Sequence, residues 1–227
     1  MTVLLVILTF ALFITLDYLV GLRRQARERP ARAPAFQPAY FPAFAAEPVW
    51  VAGYQLPDDL RYHPGHTWAR VWNKDTVLIG IDDFARRLIG SAKKLTLPPV
   101  GSLLKQGAKG FRVDVDGKAA EFLSPVEGEV MEVNPELSGQ PHLATDDPYG
   151  HGWILKVRPT NLSRSLRNLL SGSLAARWMD DSRERLDLQL MALSGSVLQD
   201  GGEPVSDLAQ QLTEEDWKRL VGEFLLT

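Results

Sequence analysis

Short apolar runs separated by turn signals fill the middle of this 227-residue chain, and they favour a small β domain over residues 60–160. Turn segments such as Asp-Gly and Pro-Val-Glu-Gly separate the runs. The predicted strands are TVLIGI (76–81), KKLTLP (93–98), GFRVDV (110–115), GEVMEV (128–133) and WILKV (153–157). Residues 82–90 interrupt this rhythm, because their apolar side chains are at helical spacing between Asp82 and Gly90. The sequence therefore predicts a β domain with one short helix inserted.

The first 22 residues, MTVLLVILTFALFITLDYLVGL, form an apolar run of the length that spans a bilayer core. Residues 2–22 are therefore predicted to be a transmembrane helix that contacts the lipid bilayer. The positive charges follow the run instead of preceding it, as Arg23, Arg24, Arg27, Arg29 and Arg32. A cleaved signal peptide would begin with a positive segment. The positive-inside rule predicts a single-pass anchor in the inner or cytoplasmic membrane, with the N-terminus outside and the soluble domain cytoplasmic.

Two features near this anchor are candidates for partner contact. Asp17 lies near the cytoplasmic end of the predicted helix, where it either reaches the interface or pairs with a polar group on a neighbouring membrane subunit. Residues 23–59 form a linker that is first basic and then rich in proline and aromatic residues. A Pro-rich segment is usually a disordered spacer between membrane and domain. Such spacers are depleted in aromatics, however, so these side chains are predicted to contact a partner. They are Phe36, Tyr40, Phe41 and Phe44.

Residues 161–227 have helical patterns and are predicted to be a helical C-terminal extension. One long stretch has a broad apolar side, formed by Leu174, Trp178, Leu186 and Leu190. The last helix has a start typical of a capping box, with Thr213 followed three residues later by Asp216. Trp217 and Phe224 belong to its apolar stripe, which suits either the core or a subunit contact. Both residues are therefore candidates for partner binding.

The composition argues against several classes of function. The net charge is −3, which provides no basic surface for nucleic acid, and the chain has no cysteine for disulfides or thiolate metal sites. The third acidic position of a calcium loop around Asp114 and Asp116 is occupied by Arg112. Neither a catalytic pair nor a metal site is predicted, and we expect a protein that is not an enzyme.

Five sequence blocks carry a family resemblance over residues 60–160. They occur in the family's order and at close to its usual intervals, as RYHPGHTWARV, GIDDFARRLIG, LPPVGSLLKQG, SPVEGEVMEVN and DDPYGHGWILKV. Together they resemble the H protein of the glycine cleavage system, a lipoyl carrier. The resemblance implies a mainly β barrel-sandwich hybrid of two antiparallel sheets, with a lipoyl lysine at a hairpin tip. The membrane helix and the helical tail are not part of a typical H protein.

The resemblance also implies where the carrier lysine belongs. In the family pattern a glycine precedes the lysine by ten positions and a proline follows it by eight; here they correspond to Gly107 and Pro125. Both counts lead to Gly117, which leaves Lys118 one residue late. Adjacent strand residues point to opposite faces, although the Asp116–Gly117 turn pair could still bring Lys118 to the apex.

Two functions follow from these observations. We expect a membrane-anchored, non-lipoylated H-protein-like scaffold or accessory subunit without a cofactor. Its partners would be integral membrane subunits of a larger complex, such as a respiratory or photosynthetic electron-transfer complex. The alternative is a tethered carrier in which Lys118 bears lipoate and shuttles acyl, aminomethyl or reducing equivalents to a membrane-associated enzyme.

Overall fold

The computed structural model describes residues 49–194 and 212–226. Within these ranges the strands are β1 (Trp50–Val51), β2 (Tyr54–Gln55), β3 (Arg61–His63), β4 (Thr67–Asn73), β5 (Thr76–Ile81), β6 (Lys94–Thr96), β7 (Leu103–Leu104), β8 (Lys109–Val115), β9 (Lys118–Leu123), β10 (Gly128–Val133) and β11 (Leu155–Pro159). The helices are α1 (Asp83–Ile89), α2 (Leu143–Asp146), α3 (Leu162–Arg167), α4 (Gly172–Ser194) and α5 (Glu214–Phe224), with a 3-10 turn at Pro135–Ser138.

Two antiparallel sheets form the body of the β domain, and strands β1 and β2 pair as a separate two-stranded sheet. The larger of the two main sheets has the strand order β3-β4-β5-β11-β10-β7, and the smaller has the order β6-β8-β9. Side chains from both sheets are fully buried, including Val77 and Ile79 of β5 and Val113 of β8. The alternation of β8, in which Arg112 is exposed between buried residues, is typical of a strand with one solvated face. The predicted two-sheet β fold followed by helices is confirmed.

Local sequence signals account for several elements at the predicted positions. β5 and β10 have the predicted bounds. Helix α1 begins after Asp82, whose side chain accepts a hydrogen bond from the Ala85 N–H at 2.8 Å. The helix ends at Gly90, which has a φ of 80° that glycine adopts without strain. The helix is therefore capped at both ends by the residues that predicted it.

A folded hairpin occupies the end of the range that the sequence assigns to a linker, residues 23–59. Strands β1 and β2 pair across a turn at Ala52 and Gly53, both of which have positive φ. Tyr54 is buried, and the Gln55 N–H donates to an Asp83 carboxylate oxygen at 2.9 Å. The hairpin belongs to the β domain because it supplies a core side chain and a hydrogen bond to α1.

The buried side of α4 differs from the predicted one. Leu186 and Leu190 are buried as expected, but Leu174 is 59% exposed. Ala175 and Met179 are fully buried in its place, which turns the packed face slightly around the helix axis. Since a broad apolar side offers several faces for packing, the neighbouring elements decide which of them is covered.

The membrane predictions concern residues outside this description. No helix among residues 49–194 and 212–226 is long and apolar enough to cross a bilayer. The predicted anchor, residues 2–22, lies outside the described residues, and so does Asp17. The same holds for the linker aromatics Phe36, Tyr40, Phe41 and Phe44. These features stay predictions.

Candidate functional site

The β8–β9 hairpin carries the residues on which a carrier function would depend. Val115 of β8 pairs with Lys118 of β9, which leaves Asp116 and Gly117 as a two-residue turn. Their φ angles are 46° and 83°, and two positive φ values are the signature of a type I′ hairpin turn. Aspartate tolerates this conformation better than most residues, and glycine adopts it freely. The predicted Asp116–Gly117 turn is confirmed.

Gly117 lies at the apex of this turn and faces open space. A Cβ atom added there would have no heavy atom within 4 Å. Sterically the apex has room for a side chain, but its φ of 83° disfavours any residue except glycine. The apex as it stands has no amine to which a group could be attached.

Lys118 is the first residue of β9, at the base of the turn and not at its apex. Its side chain is half-buried, and its Nζ donates a hydrogen bond to the Leu212 carbonyl oxygen at 2.5 Å. The turn therefore does not bring Lys118 to the tip, as the rebuilt hairpin would have required. Nor is Lys118 a solvated turn residue, because its ammonium group binds a segment from the far end of the chain.

Helix α5 covers the same strand. The Trp217 indole N–H donates to the Ala119 carbonyl oxygen at 3.0 Å, and the Phe224 ring lies 5.3 Å from that of Phe84. Trp217 is 1% exposed and Phe224 is fully buried. Both residues that were predicted to bind a partner are therefore buried against other parts of this same chain. The sequence carried no signal for this contact, because Ala119 and Trp217 are 98 positions apart.

Charged residues along the hairpin are paired with one another. Arg112 contacts the Asp114 carboxylate at 2.6 Å, and Lys109 forms an ion pair with Glu121 across the strands. Within the described part of the chain, no group of three histidine or acidic residues could hold a metal ion. The carboxylate of Asp114 is therefore committed to a guanidinium group.

A buried histidine lies below the α5 contact. His66 Nδ1 is 2.8 Å from an Asp82 oxygen, and its ring stacks on Phe84 at 4.0 Å and lies 4.5 Å from Trp178. Both His66 and Asp82 are fully buried. Asp82 also caps α1, so the pair connects the turn before β4 to the start of that helix. A substrate could not reach this pair, and its contacts account for His66 as a packing residue.

The chain was compared with known proteins. The sequence profile of the family described as Glycine cleavage H-protein matches residues 60–182, more than half of the chain. The chain belongs to the glycine cleavage H-protein family. A probable glycine cleavage system H protein from Pyrococcus abyssi is 38% identical over 131 residues, which is 58% of this chain and 97% of that protein.

A second relative, from another organism, agrees with this membership. A glycine cleavage system H protein from Chromobacterium violaceum is 35% identical over 122 residues, covering 54% of this chain and 94% of its own length. A crystal structure of a glycine cleavage system H protein from Mycobacterium marinum has 26% identity and a TM-score of 0.49, and covers 56% of this chain and 98% of its own. The family match over residues 60–182 confirms the resemblance predicted from the five sequence blocks.

Membership in the H-protein family raises the question of whether the hairpin fits a lipoyl arm. The apex residue, Gly117, has no amine, and the nearest amine, on Lys118, is hydrogen-bonded to Leu212. An arm that swings between partners needs an amine at the tip with free space around it. The residues of this hairpin do not fit that requirement.

Proposed function

We propose that this chain is a non-lipoylated member of the H-protein family that serves as a scaffold or accessory subunit. The hydrogen bond from Lys118 Nζ to the Leu212 carbonyl oxygen carries the proposal. This hydrogen bond occupies the amine of the lysine that follows the apex, and the apex residue itself, Gly117, has no amine. The family spacings counted from Gly107 and from Pro125 both lead to Gly117, which supports Gly117 as the residue at the carrier position. On this proposal the β domain acts by binding, not as a carrier or an enzyme.

The proposal places this subunit at a membrane. The apolar length of residues 2–22 and the arginines after them support an anchor with the β domain on the cytoplasmic side. Integral membrane subunits of a larger complex are its proposed partners, with a respiratory or photosynthetic electron-transfer complex as the proposed host. Asp17 and the linker aromatics Phe36, Tyr40, Phe41 and Phe44 are the residues proposed to contact them.

Intact-mass measurement of the protein from its native membrane, with peptide mapping across residues 111–130, tests this function. We expect an unmodified Lys118 and membrane subunits that copurify in fixed stoichiometry. A freely diffusing monomer in detergent would overturn the scaffold role, and a lipoyl adduct on Lys118 would establish the tethered carrier instead.

The carrier alternative has support from family membership and can be tested separately. Purified full-length protein is incubated with a lipoate–protein ligase, lipoate and ATP, and its mass is then measured. Lys118→Met serves as the site variant and Lys109→Met as the matched control in the same hairpin. We expect no lipoyl mass on the wild-type chain. Transfer that is lost in Lys118→Met and retained in Lys109→Met would contradict the proposed function.

A further inference from the structure

Helix α5 covers a surface that belongs to the family domain. Helix α5 contacts Phe84 and Ala119, and the Leu225 that follows it lies against Gly65; all three residues are inside the matched range 60–182. Helix α5 lies beyond that range. This chain therefore closes, with a helix of its own, a family surface that includes the strand after the hairpin apex. Helix α5 is the lid of this surface.

The lid fits this surface closely along its whole length. Four buried side chains follow one another at helical spacing on its inner face: Trp217, Leu220, Val221 and Phe224. At its end, the Leu225 carbonyl oxygen lies 2.7 Å from where a Cβ on Gly65 would be. The guanidinium of Arg185, on helix α4, lies 5.1 Å from the Phe224 ring centroid. This pattern is that of an amphipathic helix held in an apolar groove.

The lid is stable as a helix only when it is docked in its groove. It has 11 residues, and isolated helices shorter than about 12 to 15 residues are marginal in water. Thr213 caps it by accepting from the Asp216 N–H at 3.2 Å, and its first turn contains three acidic residues. These features favour the helix but do not replace the buried face. Docking and helix formation are therefore one event.

We propose that Lys118 is the latch that holds this lid closed. The Leu212 carbonyl that it binds comes immediately before the Thr213 cap, so the ammonium group ties down the first residues of the lid. A hydrogen bond from a charged donor is about twice as strong as a neutral one. The Lys118 hydrogen bond and the docking of the lid stabilise each other, because coupling between two events is reciprocal. Removing the amine therefore promotes opening of the lid, and opening of the lid exposes the amine. The residue next to the family's carrier position thus controls access to the surface under α5.

Amine reactivity in the full-length protein tests the first half of this coupling. An N-hydroxysuccinimide acetate ester transfers its acetyl group to a lysine amine and releases N-hydroxysuccinimide, and mass spectrometry measures the rate at each lysine. Lys109 is the internal control, because its side chain is 69% exposed on the same hairpin. We expect Lys118 to react about tenfold more slowly than Lys109, which corresponds to about 1.4 kcal/mol of opening free energy.

A lid variant completes this test. Trp217→Ala removes the indole that binds the Ala119 carbonyl, and we expect it to bring the Lys118 rate to within about threefold of the Lys109 rate. Lys218→Met, on the exposed side of the lid, is the control that should leave the ratio unchanged. Equal rates for Lys118 and Lys109 in the wild-type chain would overturn the latch, and so would a ratio that Trp217→Ala does not move.

Hydrogen exchange tests the second half. We expect Lys118→Met to accelerate amide exchange in residues 214–225 by about five- to tenfold, with no change in β5. Lys118→Arg keeps a charged donor and should restore most of the protection, whereas Lys109→Met should have no effect. Unchanged exchange in residues 214–225 would overturn the proposal. Equal acceleration in β5 would do the same, because Lys118 would then stabilise the whole domain.

The lid and the proposed function both depend on the Lys118–Leu212 hydrogen bond, but their experiments fail in different ways. Its experiments use recombinant, unmodified protein and measure a contact between two parts of one chain. A lipoyl adduct on the native protein would end the scaffold proposal without changing these exchange rates. Conversely, a lid that fails these tests would leave the mass of the native protein unaffected.

Discussion

Tyr149 joins three parts of the fold through its hydroxyl and its backbone carbonyl. The hydroxyl accepts from the Asp83 N–H and donates to the Gln55 carbonyl oxygen, both at 2.8 Å. The backbone carbonyl of Tyr149 accepts from Arg70 at 2.8 Å. Burial raises the pKa of the Tyr149 phenol well above its ordinary value, so it stays neutral and keeps the proton that it donates to Gln55.

We expect Tyr149→Phe to lower the free energy of unfolding by about 1 to 3 kcal/mol, because the Asp83 N–H and the Gln55 carbonyl would lose this partner in a buried site. Urea denaturation of the full-length protein measures this change. Tyr62→Phe is the comparison, since the Tyr62 hydroxyl donates one hydrogen bond, to the Pro57 carbonyl oxygen. A smaller loss in Tyr149→Phe than in Tyr62→Phe would contradict this account of Tyr149.

His63 makes the stability of the domain depend on pH. Burial, reinforced by the neighbouring His66, lowers the pKa of His63 below its ordinary value of 6.5. Its Nδ1 accepts a hydrogen bond from the Gly65 N–H at 3.0 Å, which requires an unprotonated nitrogen. Above pH 6.5 both folded and unfolded states carry a neutral ring. Below it the unfolded state binds the proton first, so stability is lost as the pH falls from 6.5 toward the pKa of the folded state.

We therefore expect the free energy of unfolding to fall as the pH is lowered through 6.5, and the slope to be smaller in His63→Gln. Denaturant titrations at each pH measure it. His142→Gln, elsewhere in the domain, controls for removal of a histidine as such. An identical slope in the wild type and in His63→Gln would show that other groups cause the dependence.

At the scale of elements, close strand packing requires glycine at the start of β10. Gly128 pairs with Pro159 of β11, and a Cβ added at Gly128 would clash with the backbone carbonyl of Arg158. The clash involves backbone on both sides, which cannot yield as a flexible side chain would. The β10–β11 pairing therefore depends on the absence of a side chain at this position.

We expect Gly128→Ala to destabilise the domain by about 1 to 3 kcal/mol or more, as other overpacked cores are. Gly139→Ala is the matched control, because its added Cβ would meet nothing within 4 Å and its φ is −99°. The thermal unfolding midpoint compares the two variants. Equal midpoints for Gly128→Ala and Gly139→Ala would contradict the predicted clash.

At the scale of the whole molecule, the chain combines a family domain with a helix that closes one of its surfaces. Deletion of residues 214–227 would expose the floor of the α5 groove, including Phe84. Burying each large side chain of α5 contributes about 1.5 to 3 kcal/mol, offset by the entropy of ordering the helix. We expect the domain to stay folded, with a thermal midpoint lower by about 5 °C or more.

Circular dichroism and binding of a hydrophobic dye measure these effects of the deletion. The β signal should persist and dye fluorescence should rise, because apolar surface becomes accessible. An unchanged midpoint together with unchanged dye binding would mean that α5 contributes nothing to covering this surface.

The predictable parts of the fold are those that local chemistry controls. The alternation of β8, the Asp82 and Gly90 caps of α1 and the Asp116–Gly117 turn were all readable within a few residues. Strands β1 and β7, of two residues each, were missed, because they are too short for a periodic pattern. The longer strands β4 and β9 were not among the five predicted strands either. The five sequence blocks occur in the order typical of the family, and this resemblance indicated the two-sheet domain.

By itself the sequence determined the local elements, the caps and turns between them, and the family, because each depends on residues close together in the chain. The tertiary structure decided which side of α4 is buried and what Lys118 contacts. Lys118 and Leu212 are 94 positions apart, and no periodicity or spacing relates them. Lys118 and Leu212 come into contact because α5 packs on β9. That packing depends on the shape of a surface formed by residues that are distant in the chain.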